Sequence, residues 1–79
     1  MTITVKLFAQ LRSAAGTGQL SLELPNDATA ADAAAKLRQT HPGLETKGSM
    51  VAINAAYAEP GTVLRDGDVL ALLPPVAGG

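Results

Sequence analysis

The residues of this chain that could do chemistry are few, and the most distinctive stand together in Pro74-Pro75-Val76-Ala77-Gly78-Gly79. Pro74 and Pro75 have no N–H to give a sheet ladder, so a strand running into them must stop by Leu73. The chain beyond leaves as an extended, polyproline-like tail. Its length, residues 74–79, spans up to about 20 Å when extended, enough to enter a second protein's active site while the body of the domain stays outside. Gly78 and Gly79 lack a Cβ, which lets the tip pass a narrow channel and leaves the Gly79 carboxylate open on both faces. That carboxylate is the one reactive group the sequence presents in a special way.

The remaining candidates read as structural. There is no cysteine, so neither a disulfide nor a thiolate zinc site staples the fold, which fits a reducing cytoplasm. The lone histidine, His41, follows a helical segment, where it favours the helix dipole more readily than a metal. Asp66 and Asp68 flank Gly67 as turn residues do, and Gly16 and Gly18 lack the further glycines of a phosphate loop. Ser13, Ser21 and Ser49 have no base beside them in sequence to make a nucleophile. The expectation is a protein that is not an enzyme on its own, binds no cofactor and holds no metal.

Composition narrows the class further. Six basic and seven acidic side chains in 79 residues give a net charge of −1, with no basic cluster to neutralise phosphates, so nucleic acid is not an expected partner. The N-terminal alternation Thr2-Ile3-Thr4-Val5-Lys6-Leu7 contains no continuous apolar run, so no secretory signal, membrane span or membrane partner is expected. Apolar residues make up 47% of the chain, but fifteen of them are alanine and only Phe8 and Tyr57 are aromatic. Leucine, isoleucine and valine must therefore build the core of one small domain.

The elements that position the tail follow from periodicity. Ile3, Val5 and Leu7 recur at period two, as do Leu20, Leu22 and Leu24, and mark two strands with one apolar face each. Phe8 to Ala15 is a short helical turn broken by Gly16-Thr17-Gly18. Thr29 with Asp32 three positions later is a capping box, and Ala30, Ala33, Ala34 and Leu37, with His41 beyond, fall on one face of the helix it starts. Pro42-Gly43 ends that helix. Met50 to Ile53 is a third strand, followed by a turn at Asn54-Ala55 toward Tyr57, and Leu64 to Asp68 is a tight turn into a fourth, Val69 to Leu73. The unbroken apolar run of this last strand marks it as central, covered on both faces or with one face kept for a partner. Leu72 and Leu73 alternate across it, so one enters the core while the other faces outward beside Pro74, with Phe8 nearby. The order strand, strand, helix, strand, strand gives an α+β domain, a mixed sheet with one main helix on one face, over residues 1–73, and a tail over 74–79.

The stretch from Leu64 through Gly79, ending in Pro-Pro-Val-Ala-Gly-Gly, resembles the C-terminal signature of the small, sulfur-carrier subunit of molybdopterin synthase. Lys6-Leu7-Phe8-Ala9-Gln10-Leu11-Arg12 with Ala14-Ala15-Gly16, and the central Val51-Ala52-Ile53-Asn54, are similar to that family too. The resemblance spans essentially the whole chain and implies a ubiquitin-like β-grasp fold. Where the family often has phenylalanine just before the prolines, this chain has Leu72 and Leu73.

The resemblance also implies a mechanism. A carboxylate is a poor electrophile, because oxide is not a viable leaving group. An ATP-using adenylyltransferase would thread the tail and form a glycyl adenylate at Gly79, which a sulfur donor converts to a thiocarboxylate, 1-thioglycine. Docked in the large synthase subunit, in a heterotetramer, the thiocarboxylate would attack cyclic pyranopterin monophosphate. Phe8, Leu72, Leu73, Pro74, Pro75, Val76 and Gly78 would contact partners, which supply the catalytic residues and use the ATP. The alternatives are a β-grasp carrier for thiamine or cysteine synthesis, and a ubiquitin-like protein modifier.

Overall fold

Residues 1–46 and 48–74 are described by a computed structural model. Alternation of apolar and polar residues produces β1 (Thr2–Leu7), whose Ile3, Val5 and Leu7 are buried while Thr2 and Lys6 are exposed. The helical turn is α1 (Ala9–Ala15), entered from an extended Phe8 and closed by Gly16 at φ 77°, whose N–H donates to the Arg12 carbonyl at 3.0 Å. That left-handed closing position is one glycine takes without penalty. Next come β2 (Gln19–Glu23) and α2 (Ala30–Thr40).

The capping box at the start of α2 is formed in both directions. Thr29 Oγ1 accepts from the Asp32 N–H at 3.2 Å, and Asp32 Oδ2 accepts from the Thr29 N–H at 2.9 Å. Two donors that the first helical turn leaves unpaired are thus satisfied. At the other end the His41 N–H donates to the Leu37 carbonyl, and His41 serves as C-cap before Pro42. Its Nδ1 lies 3.1 Å from Thr40 Oγ1.

The third strand is β3 (Met50–Ile53), and the strand after the Asp66-Gly67 turn is β5 (Val69–Leu73). Between them stands a strand that the order read from periodicity omits, β4 (Ala56–Ala58), paired antiparallel to β3 through a two-residue turn. Both turn residues have positive φ, Asn54 at 50° and Ala55 at 70°, the type I′ geometry whose twist matches a hairpin.

The five strands form one mixed sheet in the order β2-β1-β5-β3-β4. The pair at its centre, β1 and β5, is parallel, and the other neighbours are antiparallel. Ile3, Val5, Leu7, Leu22, Leu70 and Leu72 form one buried face, against which α2 sets Ala30, Ala33 and Leu37, with Leu11, Leu44 and Leu64 filling the ends. Each buried leucine contributes roughly 1.5–3 kcal/mol. Thr46 is the one buried polar side chain among the described residues, and its Oγ1 accepts from Arg38 Nη1 at 2.8 Å. One main helix crossing one face of a mixed sheet is the expected α+β arrangement, and among the described residues no helix covers the opposite face.

Candidate functional site: the outer sheet face at the end of β5

Two residues of opposite orientation end β5. Leu72 is 1% exposed and belongs to the core, whereas Leu73, the last residue of β5, is half-buried on the other face. Leu72, counted above among candidate contact residues, is therefore a core residue, and Leu73 is the leucine at the surface. Pro74 follows, half-buried and outside any strand, as a residue without an N–H requires. The remaining candidates, Pro75, Val76, Gly78 and Gly79, lie outside the described residues.

The outward side of β5 consists of Val69, Ala71 and Leu73, all half-buried although no helix covers them. Register shows what surrounds them. Ala71 is flanked by Lys6 on β1 and Ala52 on β3, Ala52 by Tyr57 on β4, and Leu73 by Met50. Three large apolar side chains stand out to solvent here: Phe8 at 43%, Met50 at 42% and Tyr57 at 73%. The small alanines sink the centre of this surface, and a basin of about 390 Å³ results, lined by Lys6, Phe8, Val69, Ala71 and Leu73 with the Asn54-Ala55 turn at its edge. Phe8 and Leu73 thus share one cavity.

The floor of this site is held from below by the turn that launches β5. Asp68 Oδ2 accepts from the Arg65 N–H at 2.8 Å, and its Oδ1 accepts from Asn54 Nδ2 at 3.0 Å. Asn54 Oδ1 in turn accepts from the Val69 N–H at 3.0 Å. Asp66 Oδ1 accepts from the Thr2 N–H at 2.8 Å. Both aspartates therefore work as backbone ligands in a turn, where Gly67 takes φ 84°. Among the described residues no group of three or more histidine, aspartate and glutamate side chains comes together as metal ligands would. No helix of the described residues is long and apolar enough to cross a membrane.

A larger cavity, about 490 Å³, lies on the helix side between α2 and β3, with Ala31, Ala34, Arg38, Thr46, Ser49 and Pro60 in its wall. Its Arg38 and Thr46 are bonded to each other. Gly18 sits against Arg12, whose Nε would lie 3.2 Å from a Cβ added there, so the Gly16-Thr17-Gly18 loop packs on a side chain.

Sequence reasoning identified Phe8 and Leu73 but missed Lys6, Met50, Ala71 and Tyr57 as parts of the same surface. The apolar run of β5 carried the signal for Ala71. Met50 and Tyr57 join the face only through the register of β3 with β4 and β5, a long-range property that no local pattern encodes.

Comparison with known proteins agrees with this architecture. The ThiS family model matches residues 5–79. The molybdopterin synthase sulfur carrier subunit of Chlamydomonas reinhardtii is 36% identical over 83 residues, covering 100% of both chains. Small archaeal modifier protein 1 of Haloferax volcanii superimposes with a TM-score of 0.89 at 35% identity, again over 100% of both chains. A chain in the complex of subunits 1 and 2 of molybdopterin-converting factor from Helicobacter pylori matches at a TM-score of 0.65 and 29% identity, covering 100% of each chain. With a family model spanning nearly its whole length and a matching fold, this chain belongs to the ThiS family.

Proposed function

We propose that this chain is a sulfur carrier of molybdenum cofactor biosynthesis, the small subunit of molybdopterin synthase, with Gly79 as its working residue. The observation that carries the reading is the position of the tail's root. β5 ends at Leu73 beside an exposed apolar basin, so a protein that seats on the basin receives the chain beyond Pro74 directly. Membership of the ThiS family and the carrier relative in Chlamydomonas reinhardtii support the same reading.

The Gly79 carboxylate attacks the α-phosphorus of ATP in an activating partner, forming the glycyl adenylate and releasing pyrophosphate. Sulfide-level sulfur from a donor then adds to the acyl carbon and AMP departs as the acyl–phosphate bond breaks, leaving the thiocarboxylate. In the large synthase subunit the thiocarboxylate sulfur attacks a carbon of cyclic pyranopterin monophosphate with departure of that carbon's oxygen substituent. Water then cleaves the acyl–sulfur bond and restores the Gly79 carboxylate, and two carriers in turn deliver the two dithiolene sulfurs. This chain supplies the terminal nucleophile and the docking face, while the pocket, the ATP site and the acid–base groups belong to the partners. The Helicobacter pylori complex of subunits 1 and 2 supports a large-subunit partner for a protein of this fold.

The test is intact mass spectrometry of the C-terminal peptide after incubation with ATP, activating enzyme and a sulfur donor. The expected result is replacement of one oxygen by sulfur at Gly79. No replacement under conditions that thiolate a related carrier defeats the proposal. A second reading, attachment of Gly79 to lysines of other proteins, is favoured by the likeness to small archaeal modifier protein 1. Isopeptide-linked Gly79 in cell extracts, in place of a copurified large subunit, is its signature.

A further inference from the structure

Lys6 stands in an unusual place. It is exposed on β1 and lines the basin with Phe8, Val69, Ala71 and Leu73, as the one charged side chain in that lining. Its two neighbours across the sheet are Gln19 and Ala71, neither of them acidic. The nearest carboxylate along β2 is Glu23, which pairs with Thr2, four residues back on β1 and so about 13 Å along the strand. The Asp68 carboxylate, at the basin's edge through Asn54, is taken up by the Asn54 amide and the Arg65 N–H, so among the described residues the ammonium has no carboxylate partner on this face.

A protein that covers the basin removes the ammonium's hydration. Lysine is depleted at the centres of protein interfaces because taking an unpaired ammonium out of water costs several kcal/mol. A second copy of this chain, docked face to face about a two-fold axis, carries Lys6 toward its own counterpart and adds like-charge repulsion. The face is thus poorly made for self-association, yet its apolar rim of Phe8, Met50 and Leu73 is made to be covered.

Resting on the proposed function, in which the large synthase subunit seats on this face to receive the tail, we infer that the subunit presents an aspartate or glutamate to Lys6, and that this ion pair selects the partner. The occupant of the basin is then a surface with an apolar socket for Phe8 and Leu73 and one carboxylate set beside it. The pair fixes the register in which the domain docks, and so the direction in which the chain beyond Pro74 departs.

The sign of one substitution tests the inference. Affinity of the full chain for the large subunit is measured by titration calorimetry for the unaltered protein and for Lys6→Met, Lys6→Glu and Lys6→Arg, with thermal melts of each free protein. If a carboxylate faces Lys6, Lys6→Met leaves it buried and unpaired and weakens binding about tenfold or more, Lys6→Glu weakens it about 100-fold or more, and Lys6→Arg stays close to the unaltered protein. All four melt alike, because position 6 is solvated in the free domain. Zero-length carbodiimide coupling should join the Lys6 Nζ to an aspartate or glutamate of the large subunit. If Lys6→Met binds as well or better, Lys6 was merely a charge being buried, and the inference is overturned while the proposed function stands. A homodimer built on this face overturns the inference too. Failure of the unaltered chain to bind the large subunit overturns both.

Discussion

Asn54 and Asp68 are fourteen residues apart and joined by a hydrogen bond, Asn54 Nδ2 donating to Asp68 Oδ1 at 3.0 Å. The bond ties the β3–β4 turn to the turn that opens β5, and the Asn54 carboxamide oxygen accepts the Val69 N–H in the same bridge. One side chain thereby fixes the first residue of the strand that leads to the tail, from a position whose φ of 50° asparagine tolerates better than most residues.

Replacing Asn54 separates those two contributions. Asn54→Gly keeps access to positive φ but loses both side-chain bonds, and we expect a loss of about 1–2 kcal/mol in urea unfolding. Asn54→Ala adds backbone strain of about 1 kcal/mol to the same loss. Equal stability of the two variants means that conformation at position 54 contributes nothing.

Thr29→Ala removes one half of the capping box that starts α2 and leaves the Asp32 N–H without its acceptor. A destabilisation of about 1 kcal/mol is expected, read as a lower denaturant midpoint with an unchanged slope. Thr29→Ser, which keeps the hydroxyl, should restore most of it.

Adjacent leucines should behave in opposite ways. Leu72→Asp places a carboxylate in the core at a site 1% exposed and is expected to unfold the domain, with a cost above about 4 kcal/mol. Leu73→Asp places it on the outer face, so melting should change little while affinity for the large subunit falls about tenfold or more. Paired thermal melts and calorimetric titrations read both effects, and unchanged affinity of the folded Leu73 variant removes Leu73 from the docking face.

Deleting Gly79 is expected to abolish sulfur transfer and leave the circular dichroism spectrum and melting curve superimposable on those of the full chain, because a chain-terminal glycine carries no side chain to bury and the described core is built by residues up to Leu72. A truncated protein that melts markedly earlier assigns Gly79 a structural part.

The elements with strong local signals are legible in the sequence. The bounds of β3 and β5 and the capping box at Thr29 and Asp32 are found where periodicity and cap chemistry set them. β4 was not legible: three residues, two of them alanines with low strand propensity, carry no period, and the strand exists because the Asn54-Ala55 turn folds it onto β3. Leu20 shares the period of Leu22 and Leu24 yet is only partly buried, whereas Leu22 on the same strand is in the core. At the candidate site, the inward and outward leucines follow from alternation alone. The choice between them, and the gathering of Lys6, Met50 and Tyr57 around Ala71, depend on which strands pair and in what register.

The parallel pairing of β1 with β5 bears on how the protein is made. Of the five described strands, this adjacent pair is the first and the last to be synthesised, so a nascent chain holding everything through β4 still has a gap in the middle of its sheet. Closure waits for Val69 to Leu73, and with such distant partners it is slow compared with local helix formation. Ribosomes that stop early release chains that cannot complete the sheet and stay open to proteolysis. The fold therefore acts as a check on translation: a copy that has reached its native state has been read through at least to Leu73.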